Sequence, residues 1–273
     1  MNEIISLLLM FAPLFLVIGL ANLAERQREH AESYGALAAT SYILMVLLYL
    51  AGIVGGILIQ VGGLMVQQQP DLLEGVPVPF QPESFALLGA GMWIPSLVGI
   101  LLLLPPVRRL FARFTAVDPA SPVHAIALSF SMIIVIYLMF NLGIGLDNLA
   151  QMLEAQAEAG VETNTILALW FQQIFTAVLG MIGVGWLTRR GLRETLERLG
   201  IVTPTVGQVV IGLVAGLGMV PVIIFIDQLS VQYNIGVDEG SQALTEQMLG
   251  DLFTSPFGIF TVGAAAALGE ETI

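Results

Sequence analysis

The chain has 273 residues, of which 56% are hydrophobic and 11% are charged, and its mean hydropathy is +0.88. Soluble domains usually carry about 25% charged residues, so this composition predicts an integral membrane protein. The formal net charge of −12 argues against a nucleic-acid partner, because such proteins need a basic surface to displace phosphate counterions. The absence of Cys excludes disulfides, thiolate nucleophiles and Cys-based metal sites.

Seven apolar runs reach the ~20 residues that a helix needs to cross the hydrocarbon of a bilayer. They cover residues 4–24, 38–66, 85–104, 123–146, 165–187, 207–229 and 253–273. The first run does not read as a secretion signal, because it begins with Met1-Asn2-Glu3 and its basic residues, Arg26 and Arg28, follow it. The sequence therefore predicts an all-α, polytopic membrane protein of about seven transmembrane helices, with the lipid bilayer as its partner.

All nine basic residues are arginines, and they occupy alternate loops of this arrangement. Three loops hold two, three and four Arg, respectively: residues 25–37, 105–122 and 188–206. The other three loops hold none: residues 67–84, 147–164 and 230–252. Because basic loops stay in the cytoplasm, this pattern predicts an external N-terminus and a seventh helix that runs inward. We expect a multi-pass protein of the cell membrane, the inner (plasma) membrane of a bacterium.

Local signals also predict where helices end and how they pack. Pro105 and Pro106 end the third helix. Residues 192–199 form a short amphipathic helix on the cytoplasmic surface, with an i, i+4 ion pair between Glu194 and Arg198. Two GxxxG pairs predict close helix packing, namely Gly52 with Gly56 and Gly212 with Gly216. Three polar residues deep in their runs predict hydrogen bonds between helices, namely Asn141, Gln172 and Gln173.

The last run ends in two adjacent carboxylates, Glu270 and Glu271, directly after a stretch of small residues, 263–269. Ionisable groups at membrane depth are costly, so they are candidates for a functional site. Adjacent helical residues point about 100° apart, which lets one carboxylate face a cavity while the other contacts a neighbouring helix. In the alternative, the helix ends at Gly269 and both acids lie in the cytoplasm.

At these residues the chain resembles the CPBP family of intramembrane endopeptidases, also called the CAAX protease or ABI family, which includes the Ras-converting prenyl-protein proteases. The first motif of the family is two glutamates followed, after three residues, by an arginine, and the stretch Ala267-Leu268-Gly269-Glu270-Glu271-Thr272-Ile273 is similar to its opening. The Arg-rich segment that ends in Leu199-Gly200-Ile201, ahead of two membrane helices, is also similar. The resemblance covers roughly residues 188–273.

The resemblance implies a role for each carboxylate. Glu270 would be the general base that activates water to attack a peptide bond of a membrane-associated peptide or protein, and Glu271 would pair with the arginine of the family. That arginine, and the helices that carry two histidines and an Asn or Asp of the water and oxyanion sites, would follow Ile273. We therefore expect a C-terminally incomplete reading frame that is inactive by itself.

The same resemblance predicts the domain organisation and the cofactor requirement. An N-terminal membrane region of about five helices is followed by a cytoplasmic amphipathic linker and by the start of the protease core: residues 1–187, 188–206 and 207–273. We expect no cofactor. The resemblance leaves a divalent metal open, although His30 and His124 have no second His at metal-ligand spacing.

Two other functions fit the same residues. In an ion-coupled transporter, Glu270 and Glu271 would bind protons or cations, although the sequence has no convincing internal repeat of the kind that marks many carriers. The chain would otherwise be a non-catalytic scaffold or immunity-type member of the same family. The sequence identifies neither the substrate nor the oligomeric state.

Overall fold

The computed structural model describes residues 2–69, 84–145, 165–233 and 256–270. These ranges form helices joined by turns, without a β-strand. The helices are α1 (Asn2–Glu29), α2 (Gly35–Gln68), α3 (Ser84–Leu102), α4 (Pro105–Phe111), α5 (Pro122–Ile144), α6 (Thr165–Gly183), α7 (Leu192–Arg198), α8 (Val206–Tyr233) and α9 (Pro256–Glu270). The predicted all-α class is confirmed. As predicted, α3 ends just before Pro105 and Pro106, which instead begin α4.

Four of these helices, α2, α3, α5 and α8, are long and apolar enough to cross a membrane. In α6 the described side chains include an apolar stretch, Trp170–Gly183, and the described part of α9 has 15 residues. Each of the seven predicted runs coincides with a helix, because a long apolar segment satisfies its backbone groups best within itself. The membrane class is thus supported by four helices of sufficient length, and the number seven stays a prediction.

Helix α1 contacts α2, α5 and α6. Helix α3 packs against both α2 and α5, and α9 packs against α6. The buried apolar side chains lie where α1, α2 and α5 meet the end of α3: Val17, Ala21, Met45, Tyr49, Leu103 and Ile126. Helices α1, α2, α3, α5, α6 and α9 are therefore held by packing against one another, which is the main source of helix association inside a membrane.

The predicted close approach at the first GxxxG pair is confirmed in the contact between α2 and α3. A Cβ atom added to Gly56 would lie 2.7 Å from both the Gly89 carbonyl oxygen and the Trp93 backbone nitrogen. Across the same contact, Trp93 Nε1 donates a hydrogen bond of 2.8 Å to Gln60 Oε1. Glycine at position 56 thus lets the two backbones come into contact. The polar side chains of Trp93 and Gln60 beside it are hydrogen-bonded to each other.

We expect Gly56→Ala to lower the free energy of unfolding by about 1–2 kcal/mol, because the added methyl group would force α2 and α3 apart. Gly62→Ala is the matched control, since the same methyl group on the same helix would meet no atom within 4 Å. That control should be neutral or slightly stabilising, because Ala favours helix more than Gly does. Unfolding in micelles by titration with SDS measures both variants. Equal stabilities would contradict a role for Gly56 in packing.

Helix α8 differs from the other long helices because the side chains of residues 206–226 are all exposed. A Cβ atom added to Gly212 or Gly216 would meet no atom within 4 Å. The packing predicted for this second GxxxG pair therefore has no counterpart among the described residues. The pair has the same spacing as Gly52 and Gly56, so spacing alone does not decide whether a glycine pair forms a contact between helices.

A buried set of hydrogen bonds crosses three helices in the core. The Tyr49 hydroxyl donates to the Ser129 carbonyl oxygen, and the Ser129 hydroxyl donates to the Gly99 carbonyl oxygen at 2.9 Å. These bonds link α2, α5 and α3 and satisfy polar groups that water does not reach. Asn141, which was expected to bond between helices, instead donates to the Tyr137 carbonyl oxygen of its own helix at 2.7 Å.

The predicted surface helix is present as α7, but its predicted ion pair is wrong. Glu194 Oε2 accepts a hydrogen bond of 3.3 Å from the Gly191 backbone N–H at the start of the helix. The ion pair is instead formed by Arg193 Nε and Glu197 Oε1, 2.9 Å apart. Backbone N–H groups in the first turn of a helix lack partners, and a carboxylate in that turn is drawn to them.

Candidate functional site

The two carboxylates that the sequence singles out belong to the end of α9. Glu270 is the last residue of that helix, and its side chain lies outside the part of the chain that the structure describes, as does all of Glu271. The helix itself packs against α6, which in turn contacts α1. The element that carries the pair is therefore located in the bundle, while the arrangement of the two carboxylates stays a prediction.

The three arginine-bearing loops meet at one end of the bundle. Arg28 Nη2 lies 2.9 Å from Asp118 Oδ2, which joins the first loop to the second. Arg189 Nη1 lies 2.9 Å from Glu29 Oε1, which joins the first loop to the third. The three loops that carry the arginines in the sequence therefore lie together in the described structure. We call this end of the molecule the arginine end.

A buried carboxylate, that of Glu25, lies at the centre of the arginine end and is only 4% exposed. Glu25 Oε1 accepts hydrogen bonds from Arg28 Nε at 3.0 Å and from Arg28 Nη2 at 2.5 Å. Glu25 Oε2 accepts a hydrogen bond from the Ser121 hydroxyl at 2.7 Å. Such charge-assisted bonds offset the cost of taking a carboxylate out of water. They also tie the end of α1 to the start of α5.

The loop before α5 is held by its own side chains. Ser121 is the N-cap of α5, and its Oγ accepts a hydrogen bond of 3.2 Å from the His124 backbone N–H. The Asp118 backbone N–H donates to His124 Nδ1 at 2.8 Å, and Asp118 Oδ1 accepts from the Ala120 N–H at 2.9 Å. The bond from Ala120, followed by the bond from Arg28, holds the pKa of the Asp118 carboxyl below its usual range.

We expect Ser121→Ala to lower the free energy of unfolding by about 2 kcal/mol, because it removes an N-cap and a hydrogen-bond donor to a buried carboxylate. Thr40→Ala is the matched control, since the Thr40 hydroxyl is exposed and bonds only to the Ala36 carbonyl of its own helix, at 2.9 Å. Its effect should stay within about 0.5 kcal/mol. Denaturation in micelles measures both, and a similar loss in the two variants would contradict this role of Ser121.

Beside the polar network lies a cavity of about 380 Å³, which we call the α1–α5–α6 groove. It is lined by residues of α1 between Ile18 and Asn22, of α5 between Val123 and Ile134, and of α6 and the following residue, together with Leu199 after α7. The lining is apolar except for Asn22 and Ser131. The groove therefore offers a surface for an apolar molecule next to a charged end of the bundle.

Sequence reasoning missed the residues at the centre of this network. Glu25 directly follows the first apolar run, and a charged residue at such a position usually indicates the start of an exposed loop. Ser121 could have been found, because a Ser before Pro122 is the pattern of an N-cap followed by Pro at the first helical position. No local signal reveals that Glu25 is buried, since its burial depends on the loop before α5.

Four apolar helices of spanning length, with one charged end, are typical of a helical membrane protein. No protein-family model matches the chain, and no curated protein or solved structure matches it. Within the described ranges, no group of three His, Asp or Glu residues is placed to hold a metal ion. The proposed function therefore rests on the residues of the chain.

Proposed function

We propose that the chain is part of an intramembrane endopeptidase of the CPBP type, in which Glu270 activates water to cleave a peptide bond of a membrane-associated substrate. The observation that carries the proposal is the composition of α9. Between Pro256 and Glu270 its only polar side chain is that of Thr261, and a second carboxylate, Glu271, follows at once. Two adjacent acids after so apolar a helix are costly in a membrane unless they serve a site.

The place of Glu270 in the last apolar run supports a position of this carboxylate within the bilayer. As a helix, residues 253–270 would extend about 27 Å, whereas the hydrocarbon of a bilayer is about 30 Å thick. In the proposed topology this run enters the hydrocarbon from outside at its first residue. Glu270 then lies towards the cytoplasmic end of the span, before the boundary is reached. A water-containing pocket is needed there for a carboxylate to stay ionised.

The proposed topology has seven spans, an external N-terminus and the arginine end in the cytoplasm of a bacterial cell. What supports it is the meeting of three arginine-bearing loops at one end of the bundle, through the bonds of Arg28 and Arg189. Basic residues near membrane spans are retained on the cytoplasmic side. In this arrangement residues 1–187 are an N-terminal extension, 188–206 a cytoplasmic linker and 207–273 the start of the catalytic core.

In the proposed mechanism Glu270 accepts a proton from the attacking water, and the oxygen of that water adds to the carbonyl carbon of the substrate. Glu271 holds the helix in register through an ion pair with an arginine. The remaining groups, which position the water and stabilise the oxyanion, are histidine and Asn or Asp side chains of later helices. In this proposal these partners follow Ile273 in the intact protein.

The intact gene tests this assignment directly. We expect an arginine two residues beyond Ile273, followed by membrane helices that carry histidines. We also expect membranes that contain the full-length product to cleave a membrane-tethered peptide reporter. A stop codon directly after Ile273 in the intact gene would remove the proposal.

A further inference from the structure

The α1–α5–α6 groove has the length of one membrane leaflet. It follows α5 from Val123 to Ile134, a distance of about 17 Å along a helix. Half the hydrocarbon thickness of a bilayer is about 15 Å. The groove starts at the arginine end, because Val123 is the second residue of α5 and lies next to the N-cap Ser121. Its length and position thus match the acyl region of the leaflet on that side.

The two polar residues of the lining do not offer free groups to a ligand. The Ser131 hydroxyl donates to the Leu128 carbonyl oxygen of its own helix at 2.7 Å. The Asn22 amide donates to the carbonyl oxygens of Ile182 and Gly183 at 2.9 Å and 3.2 Å. The surface left for an occupant is therefore apolar. Water is a poor occupant of such a cavity, because it would find no hydrogen-bond partners there.

Two guanidinium groups lie at the arginine end of the groove. Arg189 Nε donates to Asn22 Oδ1 at 3.1 Å, and Arg190 Nη1 donates to the Val184 carbonyl oxygen, so each bonds to a residue of the lining. Arg189 is paired with Glu29, whereas Arg190 has no carboxylate within 4.0 Å in the described part of the chain. The end of the groove therefore carries a positive charge that is not neutralised by an ion pair.

The backbone keeps these two cations close together. Gly185 has a φ of +105°, and a Cβ atom there would lie 3.1 Å from Arg189 Nε and 3.2 Å from Arg190 Nη1. Burial lowers the pKa of the Arg190 guanidinium, and the neighbouring charges of Arg189 and Arg198 lower it further, whereas the carboxylates of Glu29 and Glu194 act in the opposite direction. An anion at this point would relieve the repulsion between the guanidinium groups.

We propose that the α1–α5–α6 groove binds an anionic phospholipid of the leaflet at the arginine end, with one acyl chain along α5 and the headgroup phosphate beside Arg189 and Arg190. A free phosphate would use the two cations but leave the apolar groove unfilled. A lipid without a phosphate would fill the groove but leave Arg190 without a counter-ion, and a zwitterionic phospholipid would bring a cation of its own beside the two guanidinium groups. An anionic phospholipid satisfies both surfaces, and basic pockets between membrane helices are known to take such headgroups.

Native mass spectrometry of the purified full chain tests the proposal, with phosphatidylglycerol and phosphatidylcholine of matched acyl chains as probes. We expect phosphatidylglycerol to be retained in preference to phosphatidylcholine. Arg190→Gln should weaken phosphatidylglycerol binding about fivefold, since one basic residue near an anionic headgroup contributes about that much. Binding of phosphatidylcholine should change less, because the charge of its phosphate is balanced by its choline group. Arg193→Gln is the matched control, because its side chain is 92% exposed and forms an ion pair with Glu197.

A second pair of variants tests the apolar part of the groove. Ala127→Trp should reduce the binding of both lipids, because Ala127 lines the groove and the indole ring would fill it. Ala39→Trp places the same ring on an exposed position near the start of α2 and should leave binding unchanged. Ala127→Leu replaces the larger variant if gel filtration shows that Ala127→Trp is not folded.

Three results would overturn the proposal. The two lipids could bind equally well to the unmodified chain, which would mean that the net charge of the headgroup plays no part. Arg193→Gln could weaken phosphatidylglycerol binding as much as Arg190→Gln, which would indicate general attraction to a basic surface. Glycerol phosphate could displace phosphatidylglycerol at equal concentration, which would indicate an anion site without an acyl chain.

Discussion

Glu270→Gln in the intact protein is expected to lower kcat/KM for cleavage of a membrane-tethered peptide by about 10³-fold, since removal of a general base typically costs 10²- to 10⁴-fold. The amide is nearly the same size as the carboxylate, so α9 should still pack against α6. The loss should therefore appear in kcat, while the amount of protein in the membrane and its melting temperature stay unchanged. A quenched fluorescent peptide in proteoliposomes measures the rate.

Glu197→Gln is the matched control for this experiment. Glu197 is also an acid close to the proposed cytoplasmic side, but its carboxylate is exposed and forms only the surface ion pair with Arg193. It should keep full activity. If the unmodified intact protein cleaves nothing and Glu270→Gln abolishes proton flux into the same vesicles, the chain is a transporter. If neither activity is found, a scaffold or immunity-type role replaces both.

Glu25→Ala is expected to lower the free energy of unfolding by about 3 kcal/mol. The variant would leave the Arg28 guanidinium and the Ser121 hydroxyl without the buried carboxylate that both now contact. Breaking a buried ion pair from one side typically costs 3–5 kcal/mol, and the lower end applies because 29% of the Arg28 side chain is exposed. Titration of purified protein with SDS in micelles measures the loss.

Two further variants separate burial from charge. Glu25→Gln keeps one acceptor oxygen, which can serve Arg28, but its NH2 group cannot accept from the Ser121 hydroxyl. It should cost about half as much as Glu25→Ala, because part of the hydrogen bonding stays. Glu29→Ala is the control on the same helix, since Glu29 pairs with Arg189 but its side chain is 48% exposed. Exposed pairs contribute less than about 1 kcal/mol. Equal losses in Glu25→Ala and Glu29→Ala would contradict the central place of the buried carboxylate.

Much of the fold could be predicted because its causes are local in the chain. Apolar runs of ~20 residues must form helices in lipid, where no water is present to satisfy the backbone, so each predicted run coincides with a helix. Pro105 and Pro106 stop α3 because a proline lacks the N–H that would continue it. The pairing of arginine-bearing loops at one end also follows from the sequence, since successive spans return the chain alternately to the two sides.

The candidate protease site could also be predicted from local features of the sequence. Glu270 and Glu271 stand out because acids are rare after an apolar run, and that contrast requires no knowledge of their neighbours. The network at the arginine end, by contrast, could not be predicted from local features. Glu25, Asp118 and Ser121 look like ordinary loop residues, and their importance lies in bonds between positions that are far apart in the chain.

The sequence by itself determined the helical class, the presence of apolar helices long enough to cross a membrane and the meeting of the arginine-bearing loops at one end, because hydrophobicity and charge act residue by residue. Only the tertiary structure decided which helices touch. It placed Gly56 against Gly89 while Gly212, with the same spacing, has no neighbour within 4 Å. The tertiary structure also buries Glu25 and forms the α1–α5–α6 groove. These features depend on which helix surfaces meet. The contacts that determine this join residues that are far apart in the sequence.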